Sequence, residues 1–224
     1  MTSVSTLSPT PRTTVSRGRN RAVAERAALY DVLDTALVCH LGVDVGHPLV
    51  IPTAFAYDRS GPDEGGTLYL HGSVASGSIR ASPDATICVT MTVLDGVVAA
   101  RSAFHHSMNY RSAVVLGRGR LVTDATEKDR ALELIVDHVV PGRMRTLRPN
   151  TRKELAATSV VALPLHEASV KVRSGPPVDD AEDIEAGVWG GVIPLRMVAG
   201  EVIPDAAAPG PVPHDVRSRA AALR

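Results

Sequence analysis

The sequence contains few aromatic residues and few cysteines. Phe, Trp and Tyr make up 3% of its 224 residues, whereas apolar residues as a whole make up 44%. The core must therefore be built from Val, Ala, Leu and Ile, and a Val-rich core favours strands. Cys39 and Cys88 each lie inside an apolar run, which suits buried side chains better than a disulfide scaffold.

The sequence also lacks a net charge and long apolar runs. Its 24 Lys and Arg residues are balanced by 24 Asp and Glu residues, so its charge gives no reason to expect a nucleic acid partner. Nowhere do about 18 uninterrupted apolar residues occur, and the N-terminus has no apolar core of a signal peptide. We therefore expect no membrane contact and a cytoplasmic location.

Composition divides the chain into a central domain and two tails. Residues 1–18 are rich in Ser, Thr and Pro with few large apolar side chains, so they cannot bury enough surface to offset their ordering entropy and are expected to be a disordered tail. Residues 19–204 are expected to form one domain. Residues 205–224 are rich in Ala and Pro and are expected to be an extended tail.

Within the central domain, short strands dominate the pattern. A helix is predicted over 21–36, because Val23, Ala27, Tyr30 and Leu33 or Leu37 follow one another at three-to-four-residue spacing. Capping-box spacings starting at Thr126 and Thr151 predict two more helices. Between the first of these helices and Thr126, runs rich in β-branched residues alternate with turn residues, and Asp95-Gly96 predicts a hairpin turn. Mostly antiparallel strands at short spacing predict a mainly β, α+β fold closed into a barrel.

Polar residues interrupt these strands in four segments, which makes the segments candidates for binding. Segment LYLHGSVAS runs from a strand into hydroxyls and is followed by Arg80, which suits a phosphate cradle or a simple turn cap. Segment SAFHHSMNYRS is the densest polar stretch, but neighbouring strand residues point to opposite faces, so its two histidines predict no metal site. Pro52 in IPTA opens a strand edge for a ligand or makes an ordinary bulge. KVR and WGG combine cations with the single tryptophan, for stacking on a ligand or for packing.

Together these segments resemble a known family. The runs VIPTAFA, LYLHGSVAS, TVLDGVVAARSAFHHSMNYRS, KVRSGPP and VWGGVIPL are similar to the nitroimidazole-resistance (Nim) type of pyridoxamine 5′-phosphate oxidase-like flavoproteins. The resemblance extends from about Arg17 to Pro204. It implies a split β-barrel that binds FMN and forms a homodimer with the flavin at the subunit interface.

The resemblance also implies which residues contact the flavin. Those at the isoalloxazine ring are Pro52 and Thr53. Those along the ring and the ribityl-phosphate side are His71, Gly72, Ser73 and Ser76. Those that hold the ribityl chain and phosphate are Asn109, Tyr110, Arg111 and Ser112, and those that approach from other strands or from the partner subunit are Lys171, Arg173 and Trp189.

The family resemblance implies an FMN-dependent oxidoreductase. Electrons would pass from a reduced nicotinamide through FMN to a small acceptor such as a nitroaromatic, because the cofactor carries the chemistry. His71 would then donate a proton to the substrate or hydrogen-bond the ribityl side. Oxidation of vitamin B6 is not expected, because the residues after Trp189 lack the Arg-x-His-x-Arg segment of the true oxidases.

Two alternatives to that oxidoreductase stay open. One is a non-catalytic flavin protein that stores the cofactor or senses redox state. The other is a split-barrel protein that uses deazaflavin or haem.

Overall fold

The computed structural model describes residues 6–7 and 10–223. The helices are α1 Arg26–Thr35, α2 Gly77–Ala81, α3 Ala125–Val139, α4 Arg152–Ala157, α5 Ala181–Glu185 and α6 His214–Ala222. The strands are β1 Ala22–Val23, β2 Cys39–Asp44, β3 Pro48–Thr53, β4 Phe55–Asp58, β5 Thr67–Ser73, β6 Thr86–Ala99, β7 Ser107–Arg118, β8 Arg120–Leu121, β9 Thr158–Pro164, β10 Ala168–Arg173 and β11 Gly191–Pro194. Short 3-10 turns lie at Arg19–Arg21, Ala103–His105 and Arg143–Thr146.

The chain divides into two compact units. Unit 1 comprises Met1–Ala36, Thr90–Val115 and Glu167–Arg196. Unit 2 comprises Leu37–Val89, Leu116–His166 and Met197–Arg224. The paired strands are antiparallel in both units, and helices flank them, which confirms the predicted α+β class.

In unit 1 the strand order is β1-β10-β7-β6, and β11 pairs with β6. Helix α1 packs near β10 and fully buries Leu29, Val32 and Leu33, which lie at the i, i+3 and i+4 positions of one helix face. The helix predicted over 21–36 therefore exists but begins at Arg26. It begins late because Ala22–Val23 pair with β10 instead.

In unit 2 the strand order of one sheet is β4-β5-β9-β8, and β2 pairs with β3. Helix α3 lies against this sheet, where Ala131 and Ile135 join a buried cluster with Tyr69 and Val160. The N-cap of α3 is Asp124, whose carboxylate accepts a hydrogen bond from Glu127 N–H at 2.8 Å. The predicted capping box starting at Thr126 is therefore wrong by two residues, whereas the box of Thr151 and Glu154 is present at α4.

A charged cluster ties α3 to the strands of unit 2. Arg120 donates to Asp63 Oδ2 at 2.8 Å and to Glu127 Oε1 at 2.7 Å. Tyr69 donates its hydroxyl to Glu127 at 3.1 Å. Burial, followed by the charge of Glu127, raises the pKa of Tyr69 to about 12. We call Asp63, Tyr69, Arg120 and Glu127 the Arg120 cluster.

The predicted hairpin turn at Asp95-Gly96 is not formed. Both residues lie inside the continuous strand β6, and Gly96 pairs with Pro194 of β11. A Cβ atom on Gly96 would lie 3.0 Å from Val192 Cγ1 and 3.1 Å from Ile193 O. The glycine therefore permits a close approach of β11 rather than a turn.

The two predicted tails contain contacts that composition does not indicate. Leu7 is buried and its N–H donates to Ala24 O at 2.7 Å, and Thr10 Oγ1 donates to Glu167 at 2.7 Å. Residues 1–5, 8 and 9 of the predicted disordered tail lie outside the described residues. The predicted extended tail contains α6, where Asp215 accepts a hydrogen bond from Arg143 at 3.2 Å. The bounds of the central domain stay a prediction.

No helix in the described part of the chain combines the length and the apolar character needed to cross a membrane.

Candidate functional site

Unit 1 brings two of the predicted binding segments together through strand pairing. In the antiparallel register of β7 and β10, Tyr110 lies opposite Arg173 and Ser112 lies opposite Lys171. These residues are more than fifty positions apart in the chain, and only the pairing places them side by side. The prediction that both segments contribute to one site is consistent with this register, and their contact with a flavin stays a prediction.

Arg173 is held in place at the end of β10. Its guanidinium donates to the side-chain oxygen of Asn109 and to the carbonyl oxygens of Gly175 at 3.4 Å and Pro176 at 3.2 Å. The Asn109 amide is buried and donates to Gly175 O at 3.1 Å. These bonds fix the loop after β10 and the direction of the Arg173 side chain.

Arg111, expected to grip a phosphate, already has a carboxylate partner. Its guanidinium donates to both oxygens of Asp95 at 3.1 and 3.0 Å and to Thr35 Oγ1 at 3.4 Å. The hydrogen bond with Asp95 raises the pKa of Arg111. A phosphate at Arg111 would have to compete with this two-point ion pair, so the structure favours a role in holding β6 and β7.

Trp189 lies on the surface of unit 1 with 70% of its area exposed. A Cβ atom on Gly191 would lie 2.8 Å from Cζ2 of the indole, and one on Gly190 would lie 2.6 Å from Nη1 of Arg101. The two glycines therefore allow an indole and a guanidinium to lie against the backbone. An exposed indole of this kind is available to a ligand or a partner chain.

A pocket of about 390 Å³ opens in unit 1 beside the end of β10. Its polar lining consists of Asn20, Arg21, His105, His106, Ser107, Arg173 and Ser174. Sequence reasoning selected Arg173 but missed Arg21. The run RGRNR before α1, with three arginines in five residues, was the signal that could have indicated it.

His105 also belongs to a small group of potential metal ligands. Single ligand atoms of His105, Asp180 and Asp183 lie within 4.8 Å of one another. Asp180 is 80% exposed and lies 3.2 Å from Nε2 of His105, so the carboxylate and the imidazole partner each other. The absence of a metal stays a prediction.

In unit 2, His71 lies near the end of β5 and is half-buried. Its Nδ1 atom is buried and has no hydrogen-bond partner among the described residues. Burial lowers the pKa of this imidazole, so the ring is neutral at pH 7. A neutral imidazole with an unpaired, buried nitrogen can bind a metal ion or a polar ligand group.

The other residues of LYLHGSVAS serve the turn into α2. Ser73 Oγ accepts a hydrogen bond from Ala75 N–H at 3.2 Å, and Ser76 Oγ lies 3.0 Å from Ser78 Oγ. A Cβ atom on Gly72 would lie 2.8 Å from Ile79 Cγ1, so the glycine lets α2 pack closely on β5. In this segment the structure supports the turn interpretation directly, and contacts of Gly72, Ser73 and Ser76 with a flavin stay predictions.

Pro52 and Thr53 end β3, which pairs with β2 of the same unit. Thr53 Oγ1 donates to Ala54 O at 3.3 Å, and Thr53 O accepts from Cys39 Sγ at 3.5 Å. Burial raises the pKa of Cys39 to about 12, so this thiol is protonated and unreactive at pH 7. Pro52 is exposed and thus accessible, and its contact with a flavin ring stays a prediction.

Comparisons with known proteins identify relatives over most of the chain. The flavocytochrome Anf3 from Azotobacter vinelandii has 38% identity and a TM-score of 0.86, with 95% of this chain and 98% of that chain covered. An FAD and haem binding protein from Mycobacterium smegmatis has 39% identity and a TM-score of 0.80, with 89% and 97% covered. No curated protein matches the sequence.

A third structure shares the fold at lower identity. It is a candidate 5-nitroimidazole antibiotic resistance protein from Bacteroides thetaiotaomicron, with 22% identity, a TM-score of 0.53, and 67% of this chain and 86% of that chain covered. The family model described as pyridoxamine 5′-phosphate oxidase matches residues 25–172. The chain therefore has the split β-barrel fold and belongs to the pyridoxamine 5′-phosphate oxidase-like family.

Proposed function

We propose that this protein is an oxidoreductase that binds both a flavin and a haem. The proposal is supported by two relatives with 38% and 39% identity, which are described as a flavocytochrome and as an FAD and haem binding protein. Both cover at least 89% of this chain. The sequence left open a split-barrel protein that uses haem as an alternative to a flavoprotein. The proposal combines the two, so that one protein binds both redox groups.

The observation that carries the haem proposal is His71. Its buried Nδ1 atom has no partner among the described residues, and burial lowers its pKa. An imidazole that stays neutral is the form that coordinates iron, and a histidine is a common axial ligand of haem. The lowered pKa also means that little imidazolium exists at pH 7, which makes His71 a poor proton donor to a substrate. We therefore assign His71 to haem coordination.

For the flavin we propose the contacts that the family resemblance implies, with two changes: His71 is assigned to haem, and Arg111 has another role. Arg173 at the end of β10 and the buried Asn109 of β7 are hydrogen-bonded to each other, and Lys171 adds a cation beside Ser112. Arg111 is committed to Asp95, and we propose that it supports the site without gripping the phosphate. The remaining proposed contacts are Pro52, Thr53, Gly72, Ser73, Ser76, Tyr110, Ser112 and Trp189.

The identity of the flavin is a choice between two forms. The family resemblance predicts FMN, whereas one relative of 39% identity is described as binding FAD. We propose FAD for this chain. When bound, a flavin accepts a hydride and a haem supplies one-electron chemistry, so the pair suits transfer from a reduced nicotinamide to a small acceptor. Reduction of nitroaromatics stays a prediction, because the nitroimidazole-resistance relative shares only the fold.

We also propose that the protein forms a homodimer. Unit 1 exposes large apolar side chains, including Phe104 at 89%, Val178 at 74% and Trp189 at 70% of their area. Large exposed apolar groups typically mark a protein interface or a ligand site. Sedimentation velocity across a dilution series tests this directly: a dimer that Trp189→Ala weakens supports the assignment, and a monomer at all concentrations contradicts it.

The test of the proposed function is the absorption spectrum of the purified protein supplied with haem and FAD. The wild type is expected to show both haem and flavin absorption. His71→Ala should lose the haem bands and keep the flavin bands, because the iron ligand is removed and the flavin contacts remain. His47→Ala, which alters an exposed histidine on the turn after β2, is the matched control and should keep both.

Three outcomes contradict parts of the proposal. A wild-type protein that takes up flavin without haem supports the flavin-only alternative. A protein that takes up neither removes the proposed function. Equal haem content in wild type and His71→Ala removes His71 as the ligand.

A further inference from the structure

The pocket of unit 1 has an unusual charge balance for a protein with no net charge. Two guanidinium groups and two imidazoles line it, together with the polar side chains of Asn20, Ser107 and Ser174. None of the ten residues that line the pocket carries a carboxylate. Lys and Arg are balanced by equal numbers of Asp and Glu in the whole chain, so this pocket is a local excess of positive charge.

The two arginines of the pocket differ in how they are held. Arg173 is fixed by Asn109 and by two backbone carbonyls, which use both protons of Nη1 and one proton of Nη2. The Nε proton and the second Nη2 proton have no partner among the described residues, and the charge of the group is not neutralised. The side chain of Arg21 has neither an ion pair nor a hydrogen bond within the described part of the chain. Arg21 is half-buried in the 3-10 turn before β1, so its cation is close to the protein surface and available.

The two histidines of the same rim each have a partner of their own. His106 Nδ1 lies 2.8 Å from Ser102 O, and a neutral ring that donates there has its other nitrogen free to accept. His105 Nε2 lies 3.2 Å from Asp180 Oδ2, and Asp180 does not line the pocket. The Asp180 carboxylate beside His105 offsets part of the positive charge at this rim, so Arg21 and Arg173 are the cations that face an anion in the pocket.

One wall of the pocket is apolar. Val172, Pro176 and Val178 contribute to the lining, and Val178 is 74% exposed. A cavity of about 390 Å³ is within the range of small-molecule sites, which combine apolar walls with a few polar groups. The ligand that suits both sides has a multiply charged anion at one end and a flat apolar group at the other.

We propose that this pocket binds the phosphate groups of a nucleotide, with Arg21 and Arg173 as the principal contacts. Guanidinium groups bind phosphate oxygens through two parallel hydrogen bonds, and the apolar wall accepts the base. Two sources share this chemistry: the ADP part of the FAD proposed above, or a separate nucleotide such as a reduced nicotinamide dinucleotide. The first source rests on the proposed function. The second does not require FAD, and it would remove Arg173 from the proposed flavin contacts.

The test is isothermal titration of the full-length protein with ADP and with inorganic pyrophosphate at low ionic strength. Both probes should bind, and added salt should weaken both. Arg21→Ala should weaken ADP binding by about tenfold or more, because it removes charge-assisted hydrogen bonds. Arg21→Glu should weaken it further. Arg19→Ala, an exposed arginine of the same turn that does not line the pocket, should change the affinity by less than about twofold.

Titrations of flavin-loaded and flavin-free protein identify the source. ADP that binds only to flavin-free protein, and is displaced by FAD, assigns the pocket to the ADP part of FAD. ADP that binds equally to both forms assigns it to a separate nucleotide. Failure of either probe to bind flavin-free protein, or equal affinities for wild type and Arg21→Ala, overturns the proposal. Absence of a flavin from the protein with ADP binding intact overturns the proposed function and leaves this site standing.

Discussion

The Arg120 cluster of unit 2 and the pocket of unit 1 use the same residue type in opposite ways. Arg120 meets two carboxylates that are 14% and 17% exposed, whereas the lining of the pocket has arginines and no carboxylate. A guanidinium with matched acids is a structural link between strands and a helix. A guanidinium without an acid is available for an anionic ligand. The presence or absence of acidic side chains around an arginine, rather than the arginine itself, therefore distinguishes a structural role from a binding role.

The largest expected effect comes from removing the arginine of the Arg120 cluster, whose charge is paired with acids. Arg120→Ala leaves Asp63 and Glu127 shielded from water without their cation, and should lower the free energy of unfolding by about 2–3 kcal/mol. Urea unfolding measures the change. Arg118→Ala is the matched control, because Arg118 and Asp84 are largely exposed and 4.0 Å apart, and it should cost less than about 1 kcal/mol. A loss of unfolding free energy in Arg120→Ala as small as that in Arg118→Ala would mean that the cluster is not structural.

A smaller effect is expected from the pH dependence of the Arg120 cluster. Burial and the charge of Glu127 raise the pKa of Tyr69 to about 12, above the value of about 10 for an unfolded chain. The folded protein therefore holds this proton more tightly, and the associated stability is present below pH 10 and lost as the pH rises towards 12. Tyr69→Phe should make the fall in unfolding free energy over this window shallower. An unchanged slope would show that Tyr69 titrates as in the unfolded chain.

The smallest expected effect on stability comes from removing an arginine of the pocket in unit 1. Arg21 has no side-chain partner among the described residues, so Arg21→Ala should change the free energy of unfolding by less than about 0.5 kcal/mol. The same variant should weaken ADP binding, as stated above. A loss of stability comparable with that of Arg120→Ala would show that Arg21 is a structural residue.

Local patterns predicted the elements whose signals are local. The helix predicted over 21–36 and the capping box of α4 are confirmed by Arg26–Thr35 and by Thr151 with Glu154. The predicted face of α1 is wrong, because the core contains Leu29, Val32 and Leu33 while Ala27 is exposed and Tyr30 is half-buried. Asp95-Gly96 carries an equally strong local signal for a turn, yet β11 pairs across it. Pairing between segments almost a hundred residues apart overrides a two-residue preference, and a single sequence contains no signal for it.

The same difference between local and long-range signals applies to the candidate site. The polar character of SMNYRS and KVRSG was visible in the sequence, and so was a candidate role for His71. That Arg111 is taken by Asp95, or that Nδ1 of His71 is left without a partner among the described residues, depends on side-chain packing. Residue type selects the candidates, and only the surrounding contacts decide which of them are free to bind.

The most direct test of the proposed function is a count of cofactors released from the purified wild-type protein. Protein reconstituted with haem and FAD is freed of unbound cofactor, denatured and analysed by liquid chromatography. The proposal of one flavin and one haem site predicts FAD and haem in equal amounts, each close to one per chain. Release of FMN alone, or of flavin with no haem, would contradict the assignment of this chain as a protein with two redox groups.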